Sequence, residues 1–535
     1  MLRFWLSGQI RRRRAHEEKL RYMVYDKEVE REINYIPVRF IIAVVLALLA
    51  TLAVMAIVVL LSIYVPCFYL LMWATEIACV IQIASSNENP DYKVPWLLVV
   101  LVVPVAGLML YIMFHSRTLK KKYIRRMENL KSHAYAKDDA AEFACLEETD
   151  MTARNQAQML CSIAEAHLFQ NTKQTYFPLG EELFAQMLTD LKVAAKFIFL
   201  EYFIIEEGLF WNSILEVLKD KAAQGVEVKV VYDDIGCMTT LPGNYWRTLR
   251  SYGIEATPFA LLRGNADSEF NNRSHRKIMV IDGRVGYTGG VNIADEYINE
   301  AVKHGHWKDV GLRLEGEGVR ELTKLFLLDY GLNVRREPEV RQNYFPEYAV
   351  AAEGWLIPFG DGSAPVYRHQ VGKSVIQNML NQAQRYVWMM TPYLIIDNEL
   401  CMSIENAAGR GVDVRIIVPH IPDKKLILEM TRSYYARLMA AGVQVYEYEP
   451  GFIHAKCYLA DDEIAMVGTI NLDYRSLVHH FENGVWMYRC ECIPAIHQDF
   501  EETFRKSIHV DETMVKKGLL QRLICTLVKI FAPML

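Results

Sequence analysis

The sequence predicts an α/β fold in which two pseudo-symmetric domains, each a mixed sheet flanked by helices, follow a set of N-terminal transmembrane helices. Strand-like and helix-like patterns alternate from about Gln174 onward, as in a fold with a largely buried sheet. The same order of elements then occurs a second time, and long apolar runs precede both copies. A length of 535 residues is sufficient for a membrane region and two globular units.

The charge and cysteine content argue against several classes of protein. The net charge of -5 disfavours a general polyanion binder, so we expect no nucleic-acid partner. The cations cluster at residues 11–14 and 117–126, on either side of the apolar runs. The ten cysteines lack the dense, short spacing of a disulfide framework in a small secreted domain.

The first 115 residues contain a charged segment and then a membrane region. Residues 1–37 have no small-residue cleavage site, so we expect no removable signal peptide. Glu76 lies in the second of three apolar runs and needs a helix neighbour or a segment that does not fully cross. Basic clusters on both sides favour an even number of crossings, so the number of crossings and the membrane side of the catalytic region stay open. Within residues 38–115 we predict transmembrane helices at about 38–63, 67–84 and 94–114.

The rest of the chain divides into a linker, two domains and a tail. A juxtamembrane linker is expected at residues 116–173, and the domains are expected at 174–334 and 345–510. Residues 511–535 combine apolar and basic residues, which is typical of an amphipathic helix on an anionic membrane surface. Packing of that helix on the protein's own core is the alternative.

The two domains share an order of segments. "AKFIFLEYFII" at 195–205 precedes a helical stretch and "GVEVKVVYDD" at 225–234. "RYVWMMTPYLI" at 385–395 precedes a helical stretch and "GVDVRIIVPH" at 411–420. Two copies with one order of elements predict two similar domains with one site between them.

Each copy then reaches a strand with the same polar residues. "HRKIMVID" places His275, Lys277 and Asp282 at the spacing that "HAKCYLAD" repeats, and the repeated residues are His454, Lys456 and Asp461. Residues i and i+2 of a strand share a face, so each histidine and its lysine project together. We group all six as candidate catalytic residues, although a turn-forming role would also explain the two aspartates.

The repeat continues beyond the aspartates. Asn292 and Asn471 each follow their histidine by seventeen residues, on a returning strand that contains glycine. Lysines and amide donors suit a phosphate, so we expect the two asparagines to bind the substrate phosphate. Two imidazoles can divide the chemistry between a nucleophile and a general acid, with no metal and no cofactor.

A nucleophilic histidine needs an acceptor for its other ring nitrogen. Asp309 in "HWKDVGLRL" follows the first motif, and Glu482 in "HHFENGVWMY" follows the second. We therefore expect these two acids to orient the histidines, each downstream of its own motif.

This constellation resembles the phospholipase D superfamily, whose HxKxxxxD motif occurs twice per active site. From about residue 65 onward the chain is similar to the bacterial cardiolipin synthases, on "GGVNIADEY" at 289–297, "TPYL" at 391–394 and "GTINLDYRS" at 468–476. Thr469 stands where a serine is more usual, which keeps the hydroxyl. The resemblance implies two phospholipase D-like domains in a multi-pass protein of the bacterial cell membrane, acting on membrane phospholipids.

The resemblance also implies a reaction. One phosphatidylglycerol forms a phosphatidyl-histidine intermediate, glycerol leaves, and a second phosphatidylglycerol attacks to give cardiolipin. By analogy His275 is the nucleophile and His454 the general acid, although these roles could be exchanged.

Other activities stay open on the sequence alone. A phospholipase D that hydrolyses phospholipids, or a phosphatidyltransferase with another alcohol acceptor, would carry the same motifs. A nuclease is disfavoured by the membrane helices and by the absence of a basic, aromatic groove pattern. A lipid-binding scaffold with a decayed site is disfavoured because both motifs are intact.

Overall fold

The structure is a computed structural model of the chain. It describes residues 66–86, 88–114, 121–259, 273–334, 340–363, 366–515 and 528–530, together with isolated residues between 45 and 63. Most of the apolar run predicted at 38–63, and most of the tail predicted at 511–535, lie outside the described residues.

The described part contains two large sheets. The strands of the first are β1 (Thr172–Phe177), β2 (Phe197–Tyr202), β3 (Glu227–Asp233), β4 (Glu255–Phe259), β5 (Lys277–Ile281), β6 (Val285–Gly289) and β8 (Gly311–Gly316). Those of the second are β9 (Trp355–Asp361), β10 (Tyr386–Met390), β12 (Asp413–Pro419), β13 (Gln444–Tyr448), β15 (Cys457–Ala460), β16 (Ile464–Gly468), β18 (Glu482–Tyr488) and β19 (Ser507–His509). Two small sheets pair β7 (His306–Lys308) with β14 (Gly451–Ile453) and β11 (Leu394–Ile395) with β17 (Leu472–Asp473).

The internal repeat predicted from the sequence is visible in the strand order. The first sheet has the order β4-β3-β2-β5-β6-β8-β1, and the second has β13-β12-β10-β15-β16-β18-β9 with β19 outside β13. The strands β4, β3 and β2 of the first sheet and β13, β12 and β10 of the second are parallel neighbours, and the other neighbours in both sheets are antiparallel. The prediction of two α/β domains with mixed sheets is therefore confirmed.

Helices cover the sheets and precede them. Before the first sheet are α1 (Pro66–Ser85), α2 (Pro90–Val102), α3 (Pro104–Phe114), α4 (Lys121–His133), α5 (Ala140–Thr149) and α6 (Met151–Ala164). The first half contains α7 (Gly180–Lys192), α8 (Leu209–Ala223), α9 (Tyr245–Ser251) and α10 (Val319–Asn333). The second contains α11 (Val371–Gln382), α12 (Asn398–Gly409), α13 (Lys425–Ala440), α14 (Ile493–Arg505) and α15 (Glu512–Val515).

The first sheet is buried on both faces, and alternate residues enter different cores. Phe197 and Phe199 of β2 join the core shared with the second half, whereas Ile198 and Leu200 join a core of the first half. The ring of Phe199 stacks on Phe326 of α10 with centroids 4.7 Å apart. The two halves therefore fold as one body around α10, which is buried along nearly its whole length.

The N-terminal helices differ from the prediction in one place. Residues 94–114, expected to be a single helix, form α2 and α3 with a break at Val103. Pro104 lacks an N–H and its ring clashes with the preceding turn, so the helix ends there. The two helices fold back on each other, with the rings of Trp96 and Tyr111 at 5.4 Å. We refer to residues 90–114 as the apolar hairpin.

Among the residues that the structure describes, none of the helices combines the length and the apolar composition required to cross a membrane. The transmembrane helices therefore stay a prediction. In the tail, Val528 packs against the core of the second half, and the Lys529 ammonium lies 3.7 Å from the centre of the Tyr434 ring.

Arg276 is buried between the two halves and contacts both of them. Its guanidinium forms an ion pair with Asp329 of α10 at 3.0 Å, and both side chains are fully buried. Its Nε donates to the carbonyl oxygen of Glu482 at 3.0 Å, and Nη2 donates to the Tyr367 hydroxyl at 2.9 Å. The residue between the first histidine and lysine thus points away from them and into the interface.

Replacing this arginine tests the interface. Arg276→Met leaves Asp329 buried without its cation, so we expect the free energy of unfolding to fall by about 3–5 kcal/mol. Arg489→Met is the matched control, because Arg489 and Glu463 are 45% and 42% exposed and an exposed ion pair contributes less than about 1 kcal/mol. Thermal unfolding in detergent measures both. Equal decreases in melting temperature in the two variants would contradict the role of Arg276 in the interface.

Candidate active site

The two motif histidines lie immediately before equivalent strands. His275 precedes β5 and His454 precedes β15, and these strands have the same place in their sheets. Both histidines are buried, with exposures of 6% and 7%. Burial lowers the pKa of His275, and the charges of Lys277, Lys456 and His454 lower it further, as expected where residues of both motifs lie around one site.

Each histidine is held by the acid of the other half. Nδ1 of His275 donates to both carboxylate oxygens of Glu482 at 2.9 Å. Nδ1 of His454 donates to Asp309 Oδ2 at 2.7 Å. The sequence analysis associates each acid with the motif it follows, and the structure corrects that pairing.

Backbone hydrogen bonds between the halves explain why each histidine pairs with the acid of the other half. The N–H of His275 donates to the carbonyl of Phe481 at 2.8 Å, which places His275 beside Glu482. The N–H of His454 donates to the carbonyl of Lys308 at 2.7 Å, because β14 runs parallel to β7. Each histidine therefore lies next to the residue before the other half's acid.

The surroundings of the two acids differ. Glu482 accepts hydrogen bonds from the Thr469 hydroxyl and, at 2.6 Å, from the Ser476 hydroxyl. In the first half the position of Thr469 is occupied by Gly290, where a Cβ would collide with the carboxylate of Asp309. Burial raises the pKa of Asp309 and of Glu482 to about 7.

The two lysines are buried beside their histidines. Lys277 Nζ donates to the carbonyl of His275 at 2.7 Å, and Lys456 Nζ donates to the carbonyl of His454. Lys456 Nζ also lies 2.8 Å from Nδ1 of His454. Burial lowers the pKa of Lys277 to about 7 and that of Lys456 to about 8.

Burial also governs the histidines. It lowers the pKa of His275 and of His454 well below the ordinary histidine value, and the two lysine charges add to the effect. Both imidazoles are therefore neutral at pH 7. A neutral imidazole has the lone pair that a nucleophile or a base requires.

The two asparagines are buried near the histidines but already have protein partners. The Asn292 amide accepts from the N–H of Ile204 at 3.1 Å and donates to the Tyr297 hydroxyl at 2.7 Å. The Asn471 amide donates to Asp473 Oδ2 at 3.0 Å. The phosphate-binding role of Asn292 and Asn471 stays a prediction.

The motif aspartates do not enter the site. Asp282 accepts hydrogen bonds from three successive backbone N–H groups, those of residues 195, 196 and 197, at 2.8, 2.6 and 2.9 Å. Asp461 does the same with residues 384, 385 and 386, at 2.7, 2.8 and 2.9 Å. Each aspartate lies at the far end of its strand, where these bonds support the loop before β2 or β10, and its catalytic role stays a prediction.

Residues that the sequence analysis missed complete the site. His480 and Trp307 lie two positions before Glu482 and Asp309, with rings 5.6 Å from His275 and 5.7 Å from His454 respectively. The matched spacing before each acid is the signal that could have revealed them. Among the described residues, His275, His480 and Glu482 also offer ligand atoms within 4.8 Å of one another, which suits a metal ion.

The amino-acid sequence matches known protein families and individual relatives. Residues 187–303 and 376–506 match a family described as cardiolipin synthase, PLD-like domain, and residues 77–114 match one described as phospholipase D-nuclease N-terminal. A cardiolipin synthase of Halalkalibacterium halodurans is 33% identical over 442 residues, which are 81% of this chain and 86% of the relative. Cardiolipin synthase 2 of Bacillus anthracis is 31% identical over 86% of this chain and 89% of the relative. The chain belongs to the cardiolipin synthase family.

Two further similarities extend the comparison. A protein of Streptococcus mutans serotype c described as uncharacterized is 41% identical over 86% of this chain and all of its own length. The crystal structure of phosphatidylserine synthase from Haemophilus influenzae Rd KW20 aligns with a TM-score of 0.53 at 18% identity, covering 72% of this chain and 98% of that one. At that identity the structural match shows only that this member of the cardiolipin synthase family has the same fold.

Replacing a motif aspartate tests its structural role in the family fold. Asp461→Ala removes the acceptor of three N–H groups and places alanine at a φ of 56°, so we expect the free energy of unfolding to fall by about 3–5 kcal/mol. Asp461→Asn keeps one acceptor oxygen and tolerates that φ, so its loss is smaller. Thermal unfolding of both variants measures the difference. Two melting temperatures equal to that of the native protein would refute this role.

Proposed function

We propose that this protein joins two phosphatidylglycerol molecules into cardiolipin and glycerol by phosphatidyl transfer through His275. The observation that carries the proposal is the reciprocal pairing of two buried imidazoles with the acids of opposite halves, His275 with Glu482 and His454 with Asp309. Relatives that bear the name cardiolipin synthase align over most of the chain, which supports this substrate class.

The first step forms the covalent intermediate. Glu482 accepts the hydrogen bond from the Nδ1–H of His275, so the lone pair on Nε2 is free to attack phosphorus. The bond between phosphorus and the glycerol headgroup oxygen breaks. The bound phosphate favours the doubly protonated form of His454, which gives its Nε2 proton to that oxygen while Nδ1 keeps its hydrogen bond to Asp309. The ammonium groups of Lys277 and Lys456 stabilise the charge on the phosphoryl oxygens.

The second step reverses these roles. His454, now without the proton, accepts one from the hydroxyl of a second phosphatidylglycerol. The oxygen of that hydroxyl attacks phosphorus, and the bond to Nε2 of His275 breaks. Cardiolipin leaves, and both imidazoles return to their starting protonation.

We further propose that the protein acts at the bacterial cell membrane, where its phospholipid substrates are. Large apolar side chains of α1 are exposed rather than packed, which supports contact with lipid. These side chains are Leu70, Leu71, Trp73, Ile77 and Ile81.

The product assay tests the function. Purified protein in vesicles of phosphatidylglycerol is expected to release cardiolipin and glycerol in equal amounts. Phosphatidic acid as the main product would instead indicate a hydrolytic phospholipase D, and a product formed only with an added alcohol would indicate another acceptor.

The dependence of activity on the leaving group distinguishes the role of His275 from that of His454. We expect His275→Ala and His454→Ala each to abolish cardiolipin formation. A phosphatidyl p-nitrophenyl ester needs no protonation of its leaving group, so a burst of about one p-nitrophenol per enzyme is expected in His454→Ala but not in His275→Ala. Recovery in His275→Ala alone would exchange the two roles.

The pH dependence follows from the shifted pKa values. Protonation of His275 removes the nucleophile, so the acid limb of kcat/KM is expected below about pH 6.5. Deprotonation of Lys277 and Lys456, whose pKa values are about 7 and about 8, lowers kcat/KM on the alkaline side. A bound phosphate anion favours the charged lysines, so the alkaline limb of kcat should lie at higher pH than that of kcat/KM. Superimposable alkaline limbs would count against the lysine assignment.

A further inference from the structure

The acid Glu482 is carried by a loop that the apolar hairpin contacts. We define the acid loop as residues 473–482, between β17 and β18, which includes a π-helical turn at Arg475–His479. Ser476 of this loop donates to Glu482, and the ring of His480 lies beside that of His275. A small displacement of the acid loop would therefore move the acceptor that orients His275.

The start of the apolar hairpin holds this loop. The Tyr92 hydroxyl is hydrogen-bonded to Nε2 of His479 at 2.5 Å in a buried environment. Asp91 Oδ2 accepts from the Tyr474 hydroxyl at 3.2 Å and from the N–H of Asn398 at 2.8 Å. These bonds connect the first turn of α2 to both ends of the π-helical turn.

Apolar packing reinforces the same contact. Val478 of the acid loop packs against a buried cluster formed by α1 and α2. The members of that cluster are Cys79, Ile83, Tyr92, Trp96 and Val100. Tyr92 therefore belongs at once to the core of the N-terminal helices and to the support of the loop.

The first half holds its corresponding loop differently. There Asn299 donates to the carbonyl of Trp307 at 3.0 Å and accepts from the Trp307 N–H at 2.7 Å, which closes the segment before Asp309 on itself. The segment from Asn471 to Glu482 is six residues shorter than that from Asn292 to Asp309. The acid loop of the second half has internal bonds too, such as that from the Ser476 N–H to Asp473 Oδ1 at 2.8 Å, but it also receives support from α2, outside its own half.

We propose that Tyr92 is a positioning residue for the acid loop, and that through it the apolar hairpin sets the rate of the reaction at His275. Tyr92 acts on His479 and the loop backbone, and the loop holds Glu482 in line with Nδ1 of His275. This inference rests on the proposed function, because the rate concerned is that of phosphatidyl transfer.

The test compares two tyrosine variants of the full-length protein in phosphatidylglycerol vesicles. Tyr92→Phe keeps the ring and loses the hydroxyl, so we expect kcat to fall about tenfold with KM within about twofold of the native value. Tyr488→Phe is the matched control, since its hydroxyl also joins an N-terminal segment to the second half, through Asp150 at 2.9 Å, but at the opposite end of β18. We expect the control to keep the native kcat.

A double variant shows whether Tyr92 acts through His479. Tyr92→Phe combined with His479→Phe is expected to lose no more kcat than the more affected single variant, because both changes remove the same bond. Losses that multiply would overturn the proposal, as would a native kcat in Tyr92→Phe or a change confined to KM.

Hydrogen exchange provides a readout that is independent of activity. Amides of residues 473–482 should exchange faster in Tyr92→Phe than in the native protein, while those of β15 and β16 stay unchanged. Unchanged exchange in the acid loop would overturn the proposal. Absence of cardiolipin synthesis by the native protein would instead count against the proposed function and leave this measurement valid.

Discussion

The site depends on an exchange of hydrogen bonds between the two halves of the chain. Each imidazole comes from one half and the carboxylate that orients it comes from the other, at 2.7–2.9 Å. Neither half alone contains an oriented histidine, so the docking of the two sheets is a condition for the chemistry. Arg276 reinforces the docking, because the same side chain binds Asp329 of its own half and the backbone of Glu482.

The protonation states of the site residues follow from the burial of the site between the two halves. Removing an isolated charge from water costs several kcal/mol. Two lysines lie near two carboxylates in the buried site, so the opposite charges offset part of this cost, and both histidines are neutral. Burial lowers the pKa of Lys277 to about 7 and that of Lys456 to about 8, and it raises the pKa of Asp309 and of Glu482 to about 7. An incoming phosphodiester brings a negative charge, which favours the protonated forms of the lysines and of the histidines. In the proposed reaction, bound substrate therefore favours the protonated form of His454 that acts as the acid.

The sequence was sufficient for the fold and for part of the site, for physical reasons. His275, Lys277, His454 and Lys456 could be placed together because strand geometry and an exact duplication both constrain them. Asp282 and Asp461 recur just as regularly, yet they support loops, since repetition alone does not distinguish a structural role from a chemical one. The pairing of Asp309 and Glu482 with opposite histidines depends on how two sheets dock, which order along the chain does not encode. The break before Pro104 was visible as a proline, but the apolar composition around it suited a single helix equally well.

The differences between the halves bear on which histidine does which task. Nδ1 of His275 contacts the carboxylate of Glu482, an acceptor, so the proton belongs on Nδ1, and in the proposed reaction the lone pair of Nε2 attacks phosphorus. Nδ1 of His454 faces Asp309 and also the ammonium of Lys456 at 2.8 Å, a donor. In the proposed reaction His454 is doubly protonated when substrate is bound, so Nδ1 keeps its hydrogen bond to Asp309 and the second proton lies on Nε2. The two motifs therefore differ at Nδ1, and the proposed division of roles assigns proton transfer to His454, the imidazole with the lysine contact.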